Sequence, residues 1–248
     1  MPFADILLRV APGGDDELQR LLVAVDLAQR LHARLDGVFV AVADGKDAEW
    51  ARTLFERAVS KTSLETTWRV VDGRTCAALL YQARRSDLAI LPTAAVAPGP
   101  DCREPERIAL ASGRPTLILP RPRDSLSIGH KVLVGWNDTR EAARAVNDAM
   151  PVLVNADSVT VLTVMAGDDP EPLVDRQLTV HLRQHGVSVE LVRRHGEPAE
   201  EIAAMAREIE ADVLVIGLCG DDQEPQPKLG AVTQRFVRTT SLPVFLSH

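Results

Sequence analysis

Aromatic residues are scarce: five Phe, three Trp and one Tyr serve 248 residues. That scarcity argues against a base-stacking platform for single-stranded nucleic acid. Basic residues are also in deficit, 28 Lys and Arg against 35 Asp and Glu, for a net charge of −7. A nucleic-acid partner normally demands a basic face, so none is expected. The three cysteines, Cys76, Cys102 and Cys219, are odd in number, far apart and form no C-x-x-C pair. They read as reduced thiols, neither a disulfide framework nor a zinc site. No apolar run approaches the roughly 18 residues a membrane span needs, so no membrane partner is expected. The first residues, Met1-Pro2-Phe3-Ala4-Asp5, carry no basic region and no long apolar stretch. No secretory signal is therefore expected, and the cytoplasm is the expected compartment. Catalytic signatures are missing as well. No Ser/His/Asp set, paired-carboxylate arrangement or H-E-x-x-H motif occurs in a defined context, so no catalytic residue and no metal ligand is assigned. His181 and His185 stand at i,i+4 with Arg183 between them and read as a solvated helix face.

What remains is ample for a core: 46% of the residues are hydrophobic. Their order repeats. Asp5-Ile-Leu-Leu-Arg-Val10 answers Lys131-Val-Leu-Val-Gly-Trp136, and Gly37-Val-Phe-Val-Ala-Val42 answers Ser158-Val-Thr-Val-Leu-Thr163. Ser86-Asp87-Leu-Ala-Ile-Leu91 answers Ala211-Asp212-Val-Leu-Val-Ile216, and Arg114-Pro115-Thr-Leu-Ile-Leu119 answers Leu242-Pro243-Val-Phe-Leu246. Near-continuous Val/Ile/Leu strands alternating with amphipathic helices predict parallel sheets covered on both faces. The helical period spans residues 16–33, 47–60 and 75–85, then 139–154, 171–185, 199–210 and 231–240. The proline-bearing, polar stretch from Pro120 to Gly129 reads as a linker. Two tandem α/β domains of five strands each follow, at residues 1–122 and 130–248. Asp138 with Glu141 three residues on predicts a capping box opening the helix after Trp136.

The most informative stretch follows the strand pattern Asp212-Val-Leu-Val-Ile216. It reads Gly217-Leu218-Cys219-Gly220, then nine residues, then Gly230-Ala231. Glycine lets backbone N–H groups approach an anion closely, and the next helix N-terminus adds its own unpaired donors. Against this, Asp221, Asp222 and Glu224 place three carboxylates in the intervening loop beside a single Lys228.

On these residues the second half resembles the universal stress protein family. The resemblance rests on G-x-x-G-x9-G at Gly217, Gly220 and Gly230, and on Val134-Gly-Trp-Asn137-Asp-Thr139. Gly196-Glu-Pro-Ala199 and Leu242-Pro-Val-Phe-Leu246 add to it. The whole chain resembles a tandem member with a diverged first domain. The resemblance implies Rossmann-like, adenine nucleotide alpha hydrolase-like domains, with ATP or AMP bound in many members. It implies that Gly217, Gly220, Gly230, Ala231 and Val232 surround the phosphates, with Thr233 in the adjoining helical turn. Asn137 stands where the family commonly has an aspartate near adenine or ribose, and Val164 would offer backbone groups to the adenine edge. Ala231 stands where Ser or Thr is usual, removing one hydroxyl donor. The loop carboxylates call for Mg²⁺ or Mn²⁺ to bridge them to a phosphate. In the first half Ala11 takes the place of Asn137, and Pro92–Arg103 holds a single glycine, so nucleotide is expected only in the second domain. The implied function is a cytoplasmic stress-response protein, a homodimer by family analogy. The alternatives are a non-nucleotide interaction module that keeps the fold and a nucleotide-hydrolysing enzyme.

Overall fold

The computed structural model describes residues 2–41, 46–72, 75–93, 104–120, 126–165, 173–218, 230–239 and 241–248. The chain divides into two compact units, Met1–Ser127 and Ile128–His248. In the first, β1 (Asp5–Val10), α1 (Asp15–Arg30), β2 (Arg34–Ala41), α2 (Lys46–Val59) and β3 (Thr66–Asp72) are followed by α3 (Thr75–Ala83), β4 (Leu88–Pro92), α4 (Glu104–Ala111) and β5 (Thr116–Leu119). The second runs β6 (Lys131–Trp136), α5 (Arg140–Leu153), β7 (Ser158–Met165), α6 (Leu173–Gln184) and β8 (Val189–His195). It continues with α7 (Pro198–Glu208), β9 (Val213–Gly217), α8 (Ala231–Thr239) and β10 (Val244–Ser247).

Each unit is a five-stranded parallel sheet. The orders are β3-β2-β1-β4-β5 and β8-β7-β6-β9-β10. The most deeply buried strands are the apolar runs of the sequence: β4 and β10 are buried at every residue, and β9 at all but its last. Edge strands β3 and β8 instead carry Arg69, Asp72, Glu190, Arg193 and Arg194, the charged composition that keeps an open edge from pairing with other chains. The doubly wound order places a switch point between β1 and β4, and another between β6 and β9. Ligands of such sheets bind in the crevice beyond the strand carboxyl ends at these points.

Two aspartates secure the switch points. The Asp87 carboxylate accepts from the Ala4 and Asp5 N–H groups at 2.8 and 3.0 Å. Asp212 accepts from Gly129, His130 and Lys131 at 2.8, 2.9 and 3.2 Å. Each therefore clamps the strand that opens its unit to the strand paired beside it.

The sequence-derived helices hold, with three corrections. α1 stops at Arg30 instead of continuing to residue 33. His32 turns left-handed (φ 54°) and the Ala33 N–H returns to Ala28 O at 3.0 Å, a left-handed helix stop. α7 ends the same way, with Glu210 at φ 53° and Ala211 N–H donating to Ala206 O at 2.8 Å. α4 is an additional helix absent from the periodicity reading; it is eight residues long and carries Pro105 at its second position. Cys76 lies in the core with Leu7, Val38 and Ile108; Cys102 and Cys219 fall outside the described residues. Among the described residues no helix is long and apolar enough to cross a membrane.

Candidate functional site

At the β6/β9 switch point the C-terminal unit opens a cleft of about 260 Å³. Its floor is the ends of three strands: Gly135 and Trp136 of β6, Leu162 and Val164 of β7, Ile216 and Gly217 of β9. Its walls are the starts of helices: Thr139 and Glu141 at α5, Pro198 and Ile202 at α7, and Gly230, Ala231, Val232 and Thr233 at α8.

The glycines of this floor are there for packing. A Cβ on Gly217 would lie 2.5 Å from both the Ala142 nitrogen and the Glu141 carbonyl carbon. The glycine thus lets β9 run directly under the first turn of α5. A Cβ on Gly135 would lie 2.9 Å from Ile216 Cγ2 and 3.5 Å from Ile202 Cδ1. Since neighbouring strand residues point to opposite faces, Ile216 faces α7 while Gly217 faces α5.

The loop from β6 to α5 corrects the capping expectation. Asp138 is left-handed (φ 53°), and the N-cap is Thr139, whose Oγ1 accepts from the Ala142 N–H at 3.2 Å. The same hydroxyl donates to Asn137 Oδ1 at 2.8 Å, which commits the Asn137 carbonyl and leaves its amide nitrogen without a partner among the described residues. Glu141 consequently sits one position too early for a capping box. Its own backbone N–H, at the open end of α5, donates to its carboxylate and holds its pKa below the ordinary glutamate range. Burial opposes this, and Arg140, 2.9 Å away, adds to it. The cleft wall therefore carries a fixed negative charge that the motif did not announce; its one sequence signal is a glutamate in the first turn of a helix leaving the switch-point strand.

The start of α8 supplies the opposite sign. Gln234 N–H donates to Gly230 O at 2.9 Å as the first bond of the helix. The preceding N–H groups of Ala231, Val232 and Thr233 have no intrahelical acceptor, and no acidic residue lies in the first turn. Thr233 is buried, and its hydroxyl donates to Gly217 O at 3.4 Å, holding the helix start over the end of β9.

The structure thus brings together Asn137, Val164, Gly217, Gly230, Ala231, Val232 and Thr233 around one cleft. Gly220 and the acidic residues Asp221, Asp222 and Glu224 lie outside the described residues. Trp136 is buried with an indole N–H that has no acceptor among the described residues. His181 on α6 and His185 in the turn after it stand exposed with rings 4.7 Å apart. Among the described residues no group of three or more metal-ligating side chains occurs.

A doubly wound parallel sheet with a glycine-floored cleft beyond its strand ends defines an α/β protein of the open parallel-sheet class. Residues 129–248 match the model of the universal stress protein family, so the C-terminal unit is a domain of that family. The fold is shared over nearly the whole chain with a universal stress protein from Archaeoglobus fulgidus DSM 4304. The TM-score is 0.79 at 16% identity, covering 98% of this chain and 97% of that one. A putative universal stress protein from Pseudomonas aeruginosa UCBPP-PA14 is similar at TM-score 0.69 and 16% identity, with 99% and 93% covered. A functionally unknown protein of Pseudomonas aeruginosa PAO1 follows at TM-score 0.67 and 16% identity, with 99% and 92% covered. No curated protein matches the sequence.

Proposed function

We propose that this chain is a cytoplasmic stress-response protein that binds an adenine nucleotide, ATP or AMP, in its C-terminal domain, residues 130–248. In this reading residues 1–122 form a degenerate second copy of the domain, and the chain assembles as a homodimer. The observation that carries it is the meeting of the open α8 N-terminus with the ends of β6, β7 and β9 around one cleft. The three N–H groups at Ala231–Thr233, which have no intrahelical acceptor, and the helix dipole are suited to a phosphate. Val164 presents a strand-end backbone, and the Asn137 amide nitrogen is available as a donor to base or ribose. Glu141 is the one described carboxylate on the wall. It fits a Mg²⁺ or Mn²⁺ ion shared with phosphate oxygens, since Mg²⁺ is ordinarily held by one or two carboxylates plus phosphates.

Calorimetric titration of the full chain with ATP and AMP, with and without Mg²⁺, tests this. Binding should require the metal. Ala231→Ser, which returns a hydroxyl to the first turn of α8, should tighten it by about 0.5–1.5 kcal/mol. Millimolar nucleotide giving no heat in either condition would replace this reading with a non-nucleotide interaction module. The specific observation on that side is Glu141, held ionised on the cleft wall where a phosphate without a metal would be repelled.

A further inference from the structure

The N-terminal unit carries a concavity whose walls include no strand residue. α1 turns Leu21, Ala24, Leu27 and Ala28 into the core. Leu18, Leu22 and Val25 follow one another at helical spacing along the flank of that face and, with Ala58 of α2, floor a groove of about 600 Å³. Its third wall is Leu126 and Ser127. Ser127 Oγ donates to Asp26 Oδ2 at 2.6 Å and ties that wall to α1. Leu126 stays 48% exposed, an apolar side chain left open to solvent at the groove.

The rim is cationic. Arg57, in the last turn of α2, and Lys61, four positions on, are both exposed, and neither side chain is in an ion pair with a described residue. The one carboxylate in the lining, Asp26, is already balanced, because Arg30 Nε donates to the same Oδ2 at 3.1 Å. The negative end of the α2 dipole offsets only about half a charge. Its last carbonyls, Arg57 O and Val59 O, each accept from a hydroxyl at 2.8 Å, of Ser60 and Thr62 respectively. Positive charge is therefore left over beside an apolar floor.

We propose that this groove binds an acidic amphiphile, a single apolar chain ending in a carboxylate or a phosphate. Each half of the ligand answers one half of the lining. The chain covers Leu18, Leu22 and Leu126, and Arg57 and Lys61 hold the headgroup, the guanidinium through two parallel hydrogen bonds. Size decides against a docked helix. A groove of about 600 Å³ lies within the roughly 300–1,000 Å³ of small-molecule sites. It equals only about one turn of a helix 10–12 Å across, too little to fix a partner helix in register. The site lies in the N-terminal unit and does not rest on the nucleotide reading of the other unit.

The test is calorimetric titration of the full chain with laurate, dodecyl phosphate and dodecyltrimethylammonium, each below its micellar concentration. The three share one tail and differ in the head. Laurate or dodecyl phosphate should bind saturably, and whichever binds tighter names the headgroup; the ammonium should bind at least about tenfold more weakly than that anion. Arg57→Gln with Lys61→Gln should weaken the anion by about tenfold or more and leave Tm unchanged, since both side chains are exposed. Leu126→Gln, also at an exposed position, should weaken it through the tail. Neither anion binding, or the ammonium binding as well as the better anion, would overturn the proposal. So would an unchanged affinity in the Arg57→Gln, Lys61→Gln protein, which is the result expected if the amphiphile enters the α8 cleft instead. An acidic amphipathic peptide that bound where both anions failed would give the groove to a protein partner and equally end this assignment.

Discussion

Arg20→Met should lower the folding free energy by about 3–5 kcal/mol, the cost of leaving a buried charge without its partner. Glu17 and Arg20 are 6% and 3% exposed, and the carboxylate spends both oxygens on the guanidinium and the Ala11 N–H. Methionine removes the cation and strands the anion in a place water does not reach. The double variant Glu17→Gln with Arg20→Met should recover more than half of the loss, because it removes the lone charge and keeps an acceptor for Ala11. Urea titration of the single and double variants is the measurement. A single variant as stable as the parent would mean that the pair is not held in the dry arrangement seen here.

The next largest effect belongs to Gly217→Ala, expected to cost about 3 kcal/mol and to lower the transition of the C-terminal unit by roughly 10 °C. The atoms a methyl group would strike, Ala142 N and Glu141 C at 2.5 Å and Glu141 O at 2.8 Å, are backbone and cannot rotate aside. β9 and α5 would have to part, carrying with them the carbonyl to which Thr233 donates. Gly14→Ala, where the space is open, is the matched control and should cost under about 1 kcal/mol. A Gly217→Ala protein melting with the control would remove the close-packing account.

The contrast between these two sites shows what the sequence could and could not disclose. Strands β1 and β6 coincide with the apolar runs Asp5–Val10 and Lys131–Trp136, because a strand buried on both faces writes itself as uninterrupted Val, Ile and Leu. The residues around the cleft were legible because glycine spacing and strand ends are local features. The physical reason for Gly217 was not, since it depends on a helix that starts 77 positions earlier at Arg140 yet crosses directly above it. Asp138 drew the capping assignment because only backbone dihedrals reveal that the chain turns left-handed there and passes the cap to Thr139. Glu17 and Arg20 drew no assignment from the sequence; their burial follows from the sheet beneath them. α4 escaped the periodicity reading because eight residues show barely two turns of it.

Asp87 and Asp212 bear on how long the protein lives as well as on how it is arranged. Each carboxylate reaches across 83 positions of chain, Asp87 to Ala4 and Asp212 to Gly129. A contact of that span closes late, after the nearer β-α-β pieces have formed, since the loop entropy must be met before it forms. Interactions absent from the folding transition state slow escape from the native state and leave the approach to it unchanged. Stopped-flow kinetics of Asp212→Ala should therefore show faster unfolding with a refolding limb that is nearly unmoved. The two aspartates act as latches fastened after the door has closed, governing the residence time of the native state and with it the resistance of the chain to proteolysis.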